Sequence, residues 1–295
     1  MTHSYANAAA FRTALETRLR SVAQERGVQI QGLRLKVAIE RLLARLFHDP
    51  APPWLLKGGY ALELRFRPTA RSTRDMDLTL RNNVEDGPDR ITPSAVHEAL
   101  MNAACREFSD FFEFTIPSPR RELTAAPGGG AAFSVIAKVA GREFARFRID
   151  VGFGDVVLGG PDELSGEDLL SFADIPPAVA LAIPKSQHFA EKLHAYTFRW
   201  SDRENTRSRD LVDMVLLIER GGLELGAVRL AVIQTFAHRQ QHSIPSSLAP
   251  PPASWAAEFP AMAEEAGIST TVMDEAYAIL CAFWNQLQPA ASNDN

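Results

Sequence analysis

Residues 55–80 read LLKGGYALELRFRPTARSTRDMDLTL, a stretch that few folds accommodate. Leu55 to Lys57 form the end of a short buried strand, Gly58 and Gly59 a sharp turn. Leu62 and Phe66, four apart, give 60–66 a helical spacing. Asp75-Met76-Asp77-Leu78-Thr79-Leu80 alternates polar and apolar, as a half-buried strand does. Side chains two apart on a strand share a face. Asp75, Asp77 and Thr79 are therefore predicted on one side, with Met76, Leu78 and Leu80 in the core. Two carboxylates a few ångströms apart on a rigid strand repel unless a cation lies between them. Hard oxygen ligands of this kind suit Mg²⁺, which takes substrate phosphates as further ligands. A glycine pair before a helix N-terminus exposes N–H groups that hold phosphate. Together these parts point to phosphoryl or nucleotidyl transfer.

Composition narrows the class. The chain has 295 residues, 46% hydrophobic and 23% charged, enough for one large domain or two modest ones around an ordinary globular core. The longest apolar runs fall short of the ~18 residues of a membrane helix. Residues 1–20 lack a basic start and a continuous apolar segment, so no secretory signal is expected. Cys105 and Cys281 are read as buried small hydrophobes and the compartment as cytoplasmic. The formal net charge of −5 excludes a general nucleic-acid coat protein. Arginines nevertheless cluster locally: Arg65, Arg67, Arg71 and Arg74; Arg142, Arg146 and Arg148; and Arg199, Arg203, Arg207 and Arg209.

Elsewhere, residues 8–25 and 33–47 have helical spacing, and a helix follows Thr92-Pro93 to about Phe108. Residues 112–116 alternate as a strand, 117–130 form a loop, and 131–153 a hairpin turning at Ala140-Gly141-Arg142. In its second strand Asp150 interrupts an otherwise apolar-alternating run, a position β-propensity disfavours. An ion pair with Arg146 or Arg148 on an edge strand is one explanation. Residues 154–184 are Gly/Pro-rich and separate the sheet from helices. On the helix at 186–196, Phe189, Leu193 and Tyr196 face the core, Glu191 is placed to orient Gln187, and Lys192 leans inward. Asp210 and Asp213, three apart, share a face near the start of the next helix. His238 and His242 lack a Cys or acidic partner nearby, which argues against a metal pair.

Three motifs in order, Lys57-Gly58-Gly59, Arg71-Ser72-Thr73-Arg74-Asp75-Met76-Asp77 and Glu191-Lys192-Leu193-His194-Ala195, resemble the signature of DNA polymerase β-like nucleotidyltransferases, most closely the AbiEii/AbiGii toxin group. Thr73 stands where that pattern usually has Ser. Arg207 to Asp213 resembles the closing R-x-x-D-x-x-D motif. The resemblance implies an α+β fold: a mixed sheet flanked by helices, with a helical C-terminal region. It divides the chain into a helical lead-in (1–50), a nucleotidyltransferase core (51–175) and a helical domain (176–295).

It also implies that Asp75, Asp77 and Asp150 hold two Mg²⁺ ions, with Lys192 and Asp210 completing the catalytic set. Lys57, Gly58, Gly59, Thr73, Gln187, Arg207 and Asp213 are its nucleotide-binding candidates. The implied substrate is an NTP, CTP or UTP, and the implied acceptor an RNA, namely the 3′ end of tRNA, so that translation is blocked. A cognate antitoxin, a role in phage defence and a monomer when free follow from the same likeness. Two other classes stay open: a small-molecule nucleotidyltransferase of the antibiotic-modifying sort, and an inactive binding module.

Overall fold

Asn7 caps the first helix, its side chain accepting from Ala10 N at 2.9 Å, and the chain leaves that helix through Gly27 at φ 66°. Along α1 (Ala8–Arg26), Phe11, Leu15, Leu19 and Val22 form a buried row. α2 (Ile30–Leu46) adds a second row through Leu33, Val37, Leu42 and Leu46. β1 (Trp54–Lys57) then enters the core, α3 (Gly58–Phe66) begins at the glycine pair, and β2 (Asp75–Leu80) follows. The computed structural model describes residues 5–67, 73, 75–81, 92–119, 121–123 and 128–288. Arg71, Ser72 and Arg74, the turn at 82–90 and the tail at 290–295 lie outside the described residues.

Thr92 caps α4 (Pro93–Ala104), accepting from Ala95 N at 3.2 Å, with proline at the first helical position. After it come β3 (Phe112–Thr115), β4 (Arg121–Leu123), β5 (Gly130–Val139) and β6 (Arg142–Gly152). Ala140 and Gly141, both at positive φ (53° and 68°), make the tight hairpin turn. β7 (Asp162–Ser165) and β8 (Val179–Ala182) complete the strands. Among the described residues the sheet runs β3-β5-β6-β2-β1-β8-β7, with β4 also pairing β5. β2 is central: it pairs antiparallel with β1 and parallel with β6. Parallel neighbours need a crossover, supplied here by the chain from α4 to β5. Met76, Leu78, Ile149 and Val151 are fully buried, each contributing roughly 1.5–3 kcal/mol relative to exposure.

Five helices make up most of the second half: α5 (Lys185–Thr197), α6 (Ser208–Arg220), α7 (Leu225–Arg239), α8 (Phe259–Ala266) and α9 (Met273–Leu287). The chain divides into two compact units. One takes Met1–Leu64, Ser72–Gly154 and Glu163–Ala182, so α1 and α2 share a unit with the sheet; the other takes Arg65–Arg71, Asp155–Asp162 and Ile183–Asn295. No helix among the described residues is long and apolar enough to cross a membrane.

Several expectations are corrected here. The loop at 117–130 contains β4, and the Gly/Pro-rich stretch at 154–184 contains β7 and β8. Strands of three or four residues leave too short an alternation to read, and neighbouring strands, not propensity, hold them. α8, which follows the proline-rich stretch from Pro245 to Pro252, is a helix no sequence expectation covered. Cys105 is exposed and Cys281 half-buried, because Cys105 sits at the C-cap of α4, past its apolar face. Asp150 lies on an interior strand, since β6 is flanked by β5 and β2.

Candidate active site: a carboxylate ladder under a glycine turn

The parallel register of β2 and β6 sets Asp77 directly beside Asp150 and Asp75 beside Arg148. Because alternation is shared across the pair, the three carboxylates lie on one face while Met76 and Ile149 pair on the other. Arg148 bridges the group: its NH2 nitrogen donates to Asp75 Oδ2 at 3.1 Å, and its Nε lies 3.0 Å from Asp150 Oδ1. The side chains of Asp75 and Arg148 are 47% and 45% exposed, that of Asp150 19%, so the ladder opens to solvent at its Asp75 end. Thr79, placed with the aspartates by alternation, is fully buried.

Gly58 forms the roof over Asp77. It has φ 64°, and a Cβ there would come within 2.6 Å of Asp77 Cγ. Only glycine meets both conditions. Lys57 precedes it and stands in register with Asp77. Gly59 is buried in the first turn of α3.

Sequence reading missed the brace behind this site. Glu63, on α3 and 5% exposed, accepts from Thr73 N at 2.9 Å and pairs with Lys36 of α2 at 3.2 Å. Lys36 also pairs with Glu167 at 2.8 Å. Thr73, two residues before Asp75, is thus tied through its backbone to a buried ion-pair chain. The signal available was a glutamate on the apolar face of α3, which an unpaired charge would not tolerate.

In the helical unit, Lys192 is 8% exposed. Its ammonium donates to Asp210 Oδ1 at 3.0 Å and Asp213 Oδ2 at 2.7 Å, clamping α5 to α6. Arg207 reaches Asp210 only at 3.9 Å. Gln187 is 1% exposed and donates to Thr235 of α7 at 3.2 Å; Glu191 pairs instead with Arg239 at 3.6 Å. His194 is packed edge-on to Phe236, and its pKa falls to about 3 through burial, with the charges of Arg239 and His242 adding to the effect. His242 lies 4.4 Å from the His194 ring and accepts from or donates to Thr197 Oγ1 at 2.9 Å. Some arginines of the clusters are also committed: Arg65 donates to Asp162 at 2.7 Å and to Ile183 O at 2.9 Å.

Among the described residues no three His, Cys, Asp or Glu side chains stand close enough to hold a metal ion as they are. The donor chemistry nonetheless fits Mg²⁺: three carboxylates on two rigid strands, with Asp77 held under a glycine that no side chain can replace. Arg148 supplies a counter-charge to Asp75 and Asp150 from a side chain nearly half exposed.

Comparison with known proteins bears on the fold and the family. Among solved structures, the MenT4 nucleotidyltransferase toxin of Mycobacterium tuberculosis H37Rv superposes with a TM-score of 0.55 over 96% of this chain and 91% of its own, at 15% identity, which is a likeness of fold. No curated protein matches the chain. The model of the nucleotidyl transferase AbiEii toxin family, type IV toxin–antitoxin system, matches residues 41–278, from α2 to α9 and across the whole carboxylate ladder. The chain belongs to the AbiEii family and is a nucleotidyltransferase toxin of the type IV toxin–antitoxin class.

Proposed function

We propose that this toxin transfers a nucleotide from an NTP, CTP or UTP, to an RNA acceptor, the 3′ end of tRNA, and so blocks translation. The observation that carries this reading is the register of Asp77 against Asp150 on adjacent parallel strands beneath Gly58. Asp75, Asp77 and Asp150 would hold Mg²⁺, two ions by family pattern, which lowers the pKa of the attacking hydroxyl and offsets phosphate charge when bound. The acceptor hydroxyl oxygen bonds to the α-phosphorus, the bond to the bridging oxygen breaks, and pyrophosphate leaves. Asp150, less exposed than Asp75, receives the hydroxyl proton in this reading. The N–H groups at Gly58 and Gly59, at the start of α3, hold phosphate oxygens with Lys57 and Thr73.

By family pattern Lys192 and Asp210 complete the catalytic set and Gln187, Arg207 and Asp213 take nucleotide-binding roles, and substitution tests each of them. The family implies a cognate antitoxin; a cytoplasmic, monomeric protein acting in phage defence completes the proposal. The test is incubation with α-labelled NTPs, Mg²⁺ and total tRNA, alongside an aminoglycoside panel. Label in RNA supports the reading. Label in the small molecules points to antibiotic-type chemistry, and no label in either overturns transfer.

A further inference from the structure

The helical unit holds a second feature that nucleotidyl transfer does not use. A cleft of about 290 Å³ opens where α5 ends, lined among others by Tyr196, Phe198, Arg199, Trp200, Arg203 and Trp255. Its size is at the lower limit of ligand pockets (~300 Å³), enough for one nucleoside. The polar ends of two rings are already committed. Tyr196 OH donates to Ala249 O at 3.0 Å, and Trp255 Nε1 donates to Asn205 O at 2.9 Å. Both rings are therefore fixed in place and buried, while Trp200 stands 43% exposed at the mouth. Its ring meets Phe198 edge-on at 4.9 Å and carries the Arg203 guanidinium 4.0 Å from its centroid. An indole this open presents ring surface that a flat, planar ligand can cover.

We propose that this cleft is a stacking subsite for an unpaired base of single-stranded RNA, with the base stacking on the Trp200–Arg203 pair and Arg199 meeting its phosphate. The proposal rests on the RNA-acceptor reading above. Sequence-tolerant single-strand sites combine aromatic platforms with a cationic track, and arginine adds a planar stacking face. Here Arg199, Arg203 and Arg209 recur over eleven residues, which extends positive charge past a single nucleotide and favours a strand over a free NTP. Asp202 and Glu204 share the loop, but Glu204 is engaged by Ser254 at 2.5 Å. A proline-rich peptide, the other common guest of aromatic clefts, finds the place taken: the chain's own Pro245, Pro250 and Pro252 line the wall.

The experiment uses the full chain and a fluorescein-labelled single-stranded RNA of roughly 12 nucleotides, within the ~4–16 of single-strand sites. Affinity and tryptophan quenching are measured for the wild type, Trp200→Ala and Arg199→Ala, with competition by UTP and by a proline-rich peptide. The prediction is that Trp200→Ala weakens binding about 5- to 150-fold, equivalent to ~1–3 kcal/mol of lost stacking, with melting temperature unchanged. Arg199→Ala lowers the salt slope by about 0.7. Affinity within twofold of wild type in Trp200→Ala overturns the subsite, as does displacement of the RNA by UTP or by the peptide at comparable concentration. Transfer is scored separately. Labelled tRNA with Trp200→Ala binding like wild type sinks the subsite alone, whereas Trp200-dependent binding without labelled RNA sinks the acceptor reading alone.

Discussion

Gly58 and Arg148 show how single residues set the state of the ladder. Gly58→Ala adds a methyl where Asp77 already sits and forces an alanine to φ 64°. Left-handed backbone alone costs roughly 1–2 kcal/mol, and the displaced carboxylate adds to it. The variant should melt earlier and lose transfer activity by about 100-fold, a size typical of disturbing the support of a metal ligand; calorimetry and labelled-NTP transfer check both. Arg148 has the opposite character. It neutralises Asp75 and Asp150 at 3.1 and 3.0 Å, but from a side chain nearly half exposed, where an ion pair contributes only ~0–1 kcal/mol. Arg148→Ala should therefore fold, and its melting temperature should rise more on adding Mg²⁺ than that of the wild type, because the ion no longer competes with a guanidinium. Equal Mg²⁺ shifts in the two proteins would show that Arg148 and the ion do not share ligands.

At the scale of elements, the Lys192 cluster joins α5 to α6 through one ammonium and two carboxylates, all at most 11% exposed. Removing the cation leaves two buried acids without it, which costs about 3–5 kcal/mol. Lys192→Met should lose that much in denaturant unfolding; a loss below ~1 kcal/mol would mean the cluster does not hold the helices. The His194 site predicts the pH response of the same unit. Its folded pKa, pushed down to about 3, lies below its ordinary 6.5, so the unfolded chain binds the extra proton between those values. Stability from this group is thus full above pH ~6.5 and falls as pH drops, by at most ~1.4 kcal/mol per unit. His242 is lowered too, by burial, and acts in the same direction. His194→Gln should flatten the acid limb of a melting-temperature profile measured from pH 7.5 to 4.5.

Across the whole molecule, what the sequence made legible was whatever repeats with a period or must sit beside its neighbour. The alternation of Asp75 to Leu80, the hairpin that carries Asp150 and the row Phe11, Leu15, Leu19 are local, and each was readable. The pairing of β2 with β6 was not: Asp77 and Asp150 are 73 residues apart, and only the assembled sheet makes them neighbours. The same holds for Glu63 with Lys36 and for β8 beside β1, whereas Lys192 was readable as leaning inward and packing adds its ion pairs with Asp210 and Asp213. Alternation also misled once, at Thr79, because a strand's polar face is covered at one end and open at the other.

The central claim is that the carboxylate beside Asp77 takes part in the chemistry. It is tested most directly by the rate of NTP-to-tRNA transfer by Asp150→Asn against the wild type at saturating Mg²⁺. The account predicts a fall of at least ~100-fold with melting temperature kept within a few degrees. Transfer by Asp150→Asn at the wild-type rate would contradict it.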